Sequence, residues 1–201
     1  MAKQQTINQT ERRFRFVAPG EFGGVKSFTS DDGTIRRMWS IDYMGGKING
    51  FFGQDSQEVE LFDYLSSVPV GTPARAFGRI DSSADEVIKL SAESFTIQGA
   101  DGFEPLTDSE FFNGCVFRGL GQVWDKQIFK GSPELRVNSV GNSFHFRNIP
   151  QEVFQRVESG SQYVFTGLLR TSLVFVGARR FPQVGVNFHI MGAIPFALEK
   201  N

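Results

Sequence analysis

A faint internal repeat constrains this chain most. Gln57-Glu58-Val59 returns as Gln151-Glu152-Val153, an offset of 94 residues, and a Gly-x6-Gly frame follows each copy, Gly71 to Gly78 and Gly160 to Gly167. A period of this size is far longer than a solenoid unit and matches a small domain. The 201 residues therefore read as two copies of one fold, each long enough to enclose a core.

Both copies show the same order of elements. Residues 1–11 are polar and read as a flexible arm. Arg12 to Val17 alternates basic and apolar residues, as a half-buried strand does. The chain continues to a turn at Ser30-Asp31-Asp32-Gly33, whose Asp-Gly pair is a hairpin signal. Thr34 to Tyr43 is the returning strand, with Arg37 and Trp39 on one face and Arg36 on the other, and Lys47 to Gly53 is a third. Asp55 and Glu58 then resemble a capping box ahead of a helical stripe of Val59, Phe62 and Leu65, which Pro69 closes. Ala74 to Ile80 and Val87 to Gln98 complete the copy as strands.

In the second copy, Cys115 to Trp124 and Leu135 to Val140 are expected as strands around a loop from Asp125 to Pro133, followed by a third strand, Asn142 to Arg147. A short helix starts near Pro150 with Val153, Phe154 and Val157 facing inward. Gln162 to Thr171 and Val184 to Phe196 are the last strands, joined by a long connection, Ser172 to Gln183.

Three strands, a helix and two strands is the order of the OB-fold, a five-stranded Greek-key barrel. The chain resembles tandem OB-fold single-stranded nucleic-acid-binding proteins at the level of the fold, without matching one family among them. The resemblance implies an all-β class with one short helix per repeat and two tandem five-stranded OB-like barrels. Their expected bounds are 12–99 and 112–198, with an acidic linker at 100–111.

Charge separates the copies. Between Phe112 and Leu198 there are nine Lys or Arg and four Asp or Glu, a net of +5, whereas Arg12 to Gln98 carries ten basic and twelve acidic residues. The segment from Ala100 to Phe111 holds four acids and no base. The second copy is thus mildly basic in a chain whose net charge is −1, which is compatible with a groove for an anionic polymer. No apolar run approaches the roughly 20 residues of a membrane-spanning helix, and the amino terminus lacks a secretory apolar core. The lone Cys115 forms no internal disulfide and reads as a buried small hydrophobe in a reducing cytoplasm. The 22 phenylalanines, against three Tyr and two Trp, exceed what one small core needs and leave rings for stacking or packing.

Residues suited to catalysis are scarce. His145 and His189 lie apart on strand patterns and form no metal-ligating cluster with Cys115. Paired acids such as Asp31-Asp32 sit at turns, where they are solvated and shape the backbone. No phosphate-binding glycine loop is present. No enzyme, metal or other cofactor is expected.

Binding has more support. Single-strand-binding OB-folds use the face of strands two and three with the loops joining strands 1–2 and 4–5, where cations follow phosphates and rings stack on bases. The resemblance places Trp124, Lys126, Phe129 and Lys130 in the 1–2 region of the second copy, Arg136 on strand two, His145 and Arg147 on strand three, and Arg179, Arg180 and Phe181 in the 4–5 connection. In the first copy it offers Arg15, Arg36, Arg37 and Lys47, with Phe51, beside an acidic 1–2 loop that would repel phosphate.

The resulting expectation is a cytoplasmic single-stranded DNA-binding protein of little sequence specificity, serving replication, recombination or repair. RNA stays open as a ligand, no membrane partner is expected, and a homo-oligomer is compatible with the strand edges. The alternatives are a structural or scaffolding protein, of a phage for instance, that uses small barrels for assembly, and a barrel for oligosaccharide or another small ligand. The chain ends in Phe196-Ala197-Leu198-Glu199-Lys200-Asn201, unlike the acidic tails of many bacterial single-strand binders.

Overall fold

The structure, a computed structural model, describes residues 13–43, 46–82, 88–100, 115–176 and 181–196, and among these the side chains of all but 88, 89, 170–176 and 181–187. These residues form ten strands and two helices: β1 (Arg15–Thr29), β2 (Ile35–Tyr43), β3 (Gly46–Phe51), α1 (Ser56–Leu65), β4 (Pro73–Ser82), β5 (Ile88–Ile97), β6 (Cys115–Phe129), β7 (Ser132–Ser139), β8 (Asn142–Arg147), α2 (Gln151–Arg156), β9 (Gln162–Val176) and β10 (Phe181–Pro195). The class is all-β, and the order of elements is the doubled one. Two compact units result, one of Val17–Arg79 and Leu90–Cys115, the other of Met1–Phe16, Ile80–Lys89 and Val116–Asn201. They are called below the β1–β5 unit and the β6–β10 unit.

Pairing follows the OB pattern on both sides of the repeat. β1 pairs β2 and β4, β2 pairs β3, and β4 pairs β5; β6 pairs β7 and β9, β7 pairs β8, and β9 pairs β10. Neither set closes by hydrogen bonds, since no ladder joins β3 to β5 or β8 to β10 among the described residues. Rings pack beneath the strands instead, in the second case directly across the β8–β10 seam. Phe95 of β5 lies 4.5 Å from Trp39 of β2, and Phe188 of β10 lies 4.8 Å from Phe146 of β8, measured between centroids.

The repeat is exact in one local device. β1 bulges between Phe22 and Gly24, and β6 bulges between Val123 and Asp125. Beside the first bulge, the Phe22 N–H donates to Thr72 O (2.7 Å) and the Gly71 N–H to Phe22 O (2.8 Å). Beside the second, the Val123 N–H donates to Ser161 O (3.0 Å) and the Gly160 N–H to Val123 O (2.6 Å). Gly71 and Gly160, the first glycines of the two sequence frames, have φ of 93° and 87°, a left-handed turn that a side chain would strain. Gly167, the second glycine of its frame, leaves no room for a Cβ between the His189 carbonyl and the Phe117 ring.

Phenylalanine fills the β6–β10 core. Phe14, Phe117, Phe144, Phe146, Phe165 and Phe188 are all buried, and Phe14 meets Phe144 edge-on at 4.9 Å. α2 buries Val153 and Phe154, with Val157 buried just beyond its end. In α1, the Asp55 side chain accepts the Glu58 N–H at 2.9 Å, as expected of the cap, while the Glu58 carboxylate reaches past Asp55 and accepts the Gly53 N–H instead. α1 ends at Leu65, four residues ahead of Pro69.

Two expected loops are largely strand. β6 runs to Phe129 and turns through Lys130-Gly131 alone, with φ of 49° and 81°, before β7 begins at Ser132. Successive left-handed residues give the twist that matches a tight hairpin, so the residues from Asp125 to Phe129 are paired rather than looped. Likewise β9 continues to Val176 and β10 resumes at Phe181, with Phe181 opposite Val176.

Candidate nucleic-acid interface

Strand alternation decides which side chains share the outer face of β6–β8. Arg136 pairs with Asp125 on β6 and with His145 on β8, and Glu134 pairs with Gln127 and Arg147. Their neighbours Leu135, Val137, Phe144 and Phe146 face the core and are buried. The outer face therefore gathers Arg136, His145 and Arg147, as the sequence pattern predicts. Trp124, at the bulge, is 46% exposed, and the Arg136 guanidinium lies 5.3 Å from its ring centroid. Phe129 is 50% exposed, with the Lys130 ammonium 5.3 Å from its ring. Arg136 also stands 4.0 Å from Asp125, and its buried Nε has no hydrogen-bond partner.

Lys126 departs from expectation. Its register partner is the core residue Leu135, so it lies on the other side of the strand. Its ammonium donates to the Val157 carbonyl at 2.8 Å and sits 4.6 Å from the Phe154 ring, which braces the end of α2.

Glu134 is the unexpected member of this face. It is only 5% exposed although it sits on the outer side. His145 Nε2 lies 2.9 Å from one of its carboxylate oxygens, and Arg147 Nε lies 3.5 Å from the other. Arg147 in turn reaches His145 Nδ1 at 3.1 Å.

Equivalent positions in β1–β3 follow from the bulges and the register. Phe28 corresponds to Phe129, Met38 to Glu134, Ser40 to Arg136, Asn49 to His145 and Phe51 to Arg147. The outer face here carries Lys26, Phe28, Arg36, Met38, Lys47, Asn49 and Phe51. Phe28 and Phe51 are 42% and 62% exposed, and their rings meet edge-on at 6.5 Å. Arg36 is 3.8 Å from Asp32 and donates from Nε to Ser30 Oγ at 3.3 Å, and Lys47 contacts Asp42 at 2.5 Å. The Ser30 hydroxyl and then the Thr34 N–H hold the Asp32 carboxyl down to about 2. The acidic 1–2 turn thus stays ionised and ties its own arginine.

Arg37 lies on the opposite side with Trp39, its guanidinium 5.6 Å from the Phe62 ring of α1. Arg15 is exposed at the start of β1, in the stretch that belongs to the β6–β10 unit, whereas Arg36 and Lys47 belong to the β1–β5 unit. Arg179 and Arg180 fall outside the described residues, as does the side chain of Phe181. Phe28 escaped the sequence reading. The signal that would have found it is its place just ahead of a hairpin turn, the place Phe129 holds in the other copy.

Other reactive groups are withdrawn from solvent. Burial pushes the Cys115 thiol far up, and its backbone N–H donates to the Tyr43 hydroxyl at 2.6 Å. Among the described residues no group of three or more His, Cys, Asp or Glu could hold a metal ion, and no helix is long and apolar enough to cross a membrane.

No family model matches the chain, and no curated protein does. Solved structures do match, two of them as follows. The wild-type single-stranded DNA binding protein from Thermus aquaticus gives a TM-score of 0.51 at 10% identity, over 94% of this chain and 95% of that one. A deletion mutant of that protein gives 0.50 at 11% identity, over 94% and 96%. At such identities the likeness establishes the fold, and the chain shares an all-β, OB-like fold with single-stranded DNA binding proteins.

Proposed function

We propose that the protein binds single-stranded DNA with little sequence preference, through the outer faces of β1–β3 and β6–β8 in two tandem OB-type barrels, as a cytoplasmic component of replication, recombination or repair. The observation that carries the reading is the pair Phe28 and Phe129. Both are half-exposed phenylalanines at one equivalent position, each on a face that also carries a second exposed ring and several cations. Solvent-facing rings beside cations suit unpaired bases, and stacking tolerates any base because every base has a π-face. The second copy would contribute Trp124, Phe129, Lys130, Arg136, His145 and Arg147, with Arg179, Arg180 and Phe181 from the 4–5 connection. The first would contribute Lys26, Phe28, Arg36, Lys47 and Phe51.

The ion pairs temper the electrostatics. Arg36, Lys47, Arg136 and Arg147 each have a carboxylate within 4.0 Å. A phosphate must compete with those carboxylates, so the salt dependence should correspond to fewer contacts than there are cations. Trp39 is buried and Trp124 exposed, which gives a direct assay. Oligo-dT should quench the emission of Trp124, more strongly at low salt, and Trp124→Phe should abolish the quenching. Absence of binding at low salt, or binding insensitive to salt, would overturn the reading.

A second reading draws on the strand edges. β3, β5, β8 and β10 each lack a ladder on one side among the described residues, and Met191 and Ile194 of β10 are well exposed. Such edges suit assembly into larger structures. Light scattering that shows concentration-dependent growth, with no affinity for nucleic acid, would favour this scaffolding role.

A further inference from the structure

The three groups Glu134, His145 and Arg147 stand where the β1–β5 unit has Met38, Asn49 and Phe51. A titratable network thus replaces an apolar and neutral set at the centre of an otherwise equivalent face. Its hydrogen bonds define the protonation state. Glu134 can only accept, so His145 donates its Nε2–H across 2.9 Å. Arg147 can only donate, so His145 Nδ1, 3.1 Å away, accepts. That pattern is the one a neutral imidazole makes with its proton on Nε2.

A proton added at Nδ1 breaks the arrangement. Two donors then face each other at 3.1 Å, and two cations share one carboxylate. Arg136 lies directly opposite His145 on β7 and adds a third cation, partly offset by Asp125 of β6. The Arg147 side chain is 61% exposed, whereas those of His145 and Glu134 are 11% and 7% exposed, so Arg147 is the member with room to turn outward.

We propose that Glu134, His145 and Arg147 form a proton-operated phosphate contact, in which protonation of His145 turns Arg147 out of the sheet and onto a phosphate of the bound strand. Glu134 is the positioning residue, since it holds the imidazole through Nε2 in both states. A phosphate on this face favours the charged imidazole, so binding takes up a proton and affinity rises as pH falls. The inference rests on the single-strand reading for its ligand, but not for the coupling between His145 and Arg147.

Two measurements separate these. In the free protein, NMR of the histidine and arginine side chains should show the Arg147 guanidinium signals moving with the titration of His145. Signals that stay fixed would overturn the proposal whatever the protein binds. With oligo-dT, affinity should rise roughly five- to tenfold from about pH 8 to about pH 5.5, and the salt slope should steepen by about one phosphate contact. His145→Gln keeps a side-chain N–H for Glu134 but cannot take the proton, so its ratio of affinities between the two pH values should fall to within about twofold of unity. A variant that keeps the full ratio would overturn the proposal. A protein that binds no strand at any pH overturns the functional reading instead, and the triad then stands or falls by the NMR coupling.

Discussion

Removing the Phe28 and Phe51 rings separates stacking from charge more cleanly than any change to a cation. The rings are 42% and 62% exposed and touch edge-on at 6.5 Å. Full burial of a phenylalanine side chain is worth about 1.5–3 kcal/mol, so half-exposed rings contribute about 1 kcal/mol each, and their mutual contact adds about 0.5–1 kcal/mol. The double variant Phe28→Ala, Phe51→Ala should therefore lose about 2–3 kcal/mol by denaturant melting and remain folded. Binding should suffer more. Each stacked base is worth about 1–3 kcal/mol, so the loss of two stacks weakens oligo-dT binding by at least about thirtyfold in a fluorescence anisotropy titration. The rings release no counterions, so the slope of affinity against salt should stay the same. Lys26→Ala on the same face should do the opposite: a few-fold loss of affinity, with the slope reduced by about one. A folded double variant that binds within about threefold of the parent would refute the stacking argument for this face.

Three further outcomes follow from local geometry. Val140, a β-branched residue at φ 36° in the β7–β8 turn, is strained where Asn or Gly is at ease, so Val140→Asn should raise stability by about 1 kcal/mol in a thermal melt. Gly167→Ala drives a Cβ into the His189 carbonyl and the Phe117 ring; it should cost about 3 kcal/mol or more, and a smaller loss would show that β9 and β10 can part there. Burial pushes the Tyr43 hydroxyl from its ordinary value of 10.0 up to about 12. A group that holds its proton more tightly when folded stabilises the protein fully below its unfolded value. That contribution should fade between about pH 10 and about 12, in parallel with a late ultraviolet tyrosine transition that Tyr43→Phe removes.

Period and punctuation made the order of elements readable, and the places where they misled share one cause. Asp31-Asp32-Gly33 announced the first hairpin, and Asn142 to Arg147 was legible to the residue as a strand. Lys130-Gly131 announced nothing, because a lysine at φ 49° carries no turn signature, and the polar residues around it read as loop. That reading assigned Lys126 to the 1–2 loop, whereas a paired strand fixes it on the inner side against Phe154. Arg37 was separable from Arg36 by alternation alone. What alternation cannot supply is the partner, and the Phe62 ring that holds Arg37 comes from a helix 25 residues along the chain.

Why the repeat is faint in sequence, yet plain in the ladders, follows from where the two copies differ. The offset between equivalent residues is 101 on the first strand (Phe28 and Phe129), 96 on the second (Ser40 and Arg136) and 89 past the helix (Gly71 and Gly160). No single shift therefore aligns the whole copy: 96 serves the second and third strands alone, and Gln-Glu-Val marks only the helix. In the core, the differences compensate in volume: Trp39 opposite Gly50 becomes Leu135 opposite Phe146. The Trp39 ring occupies the very space that a Cβ on Gly50 would need, so neither exchange is tolerable without the other. On the outer face nothing enforces volume, and Met38 opposite Phe51 becomes Glu134 opposite Arg147. Packing thus preserves the fold through paired exchanges that hide the repeat, while the unpacked face is free to change its chemistry.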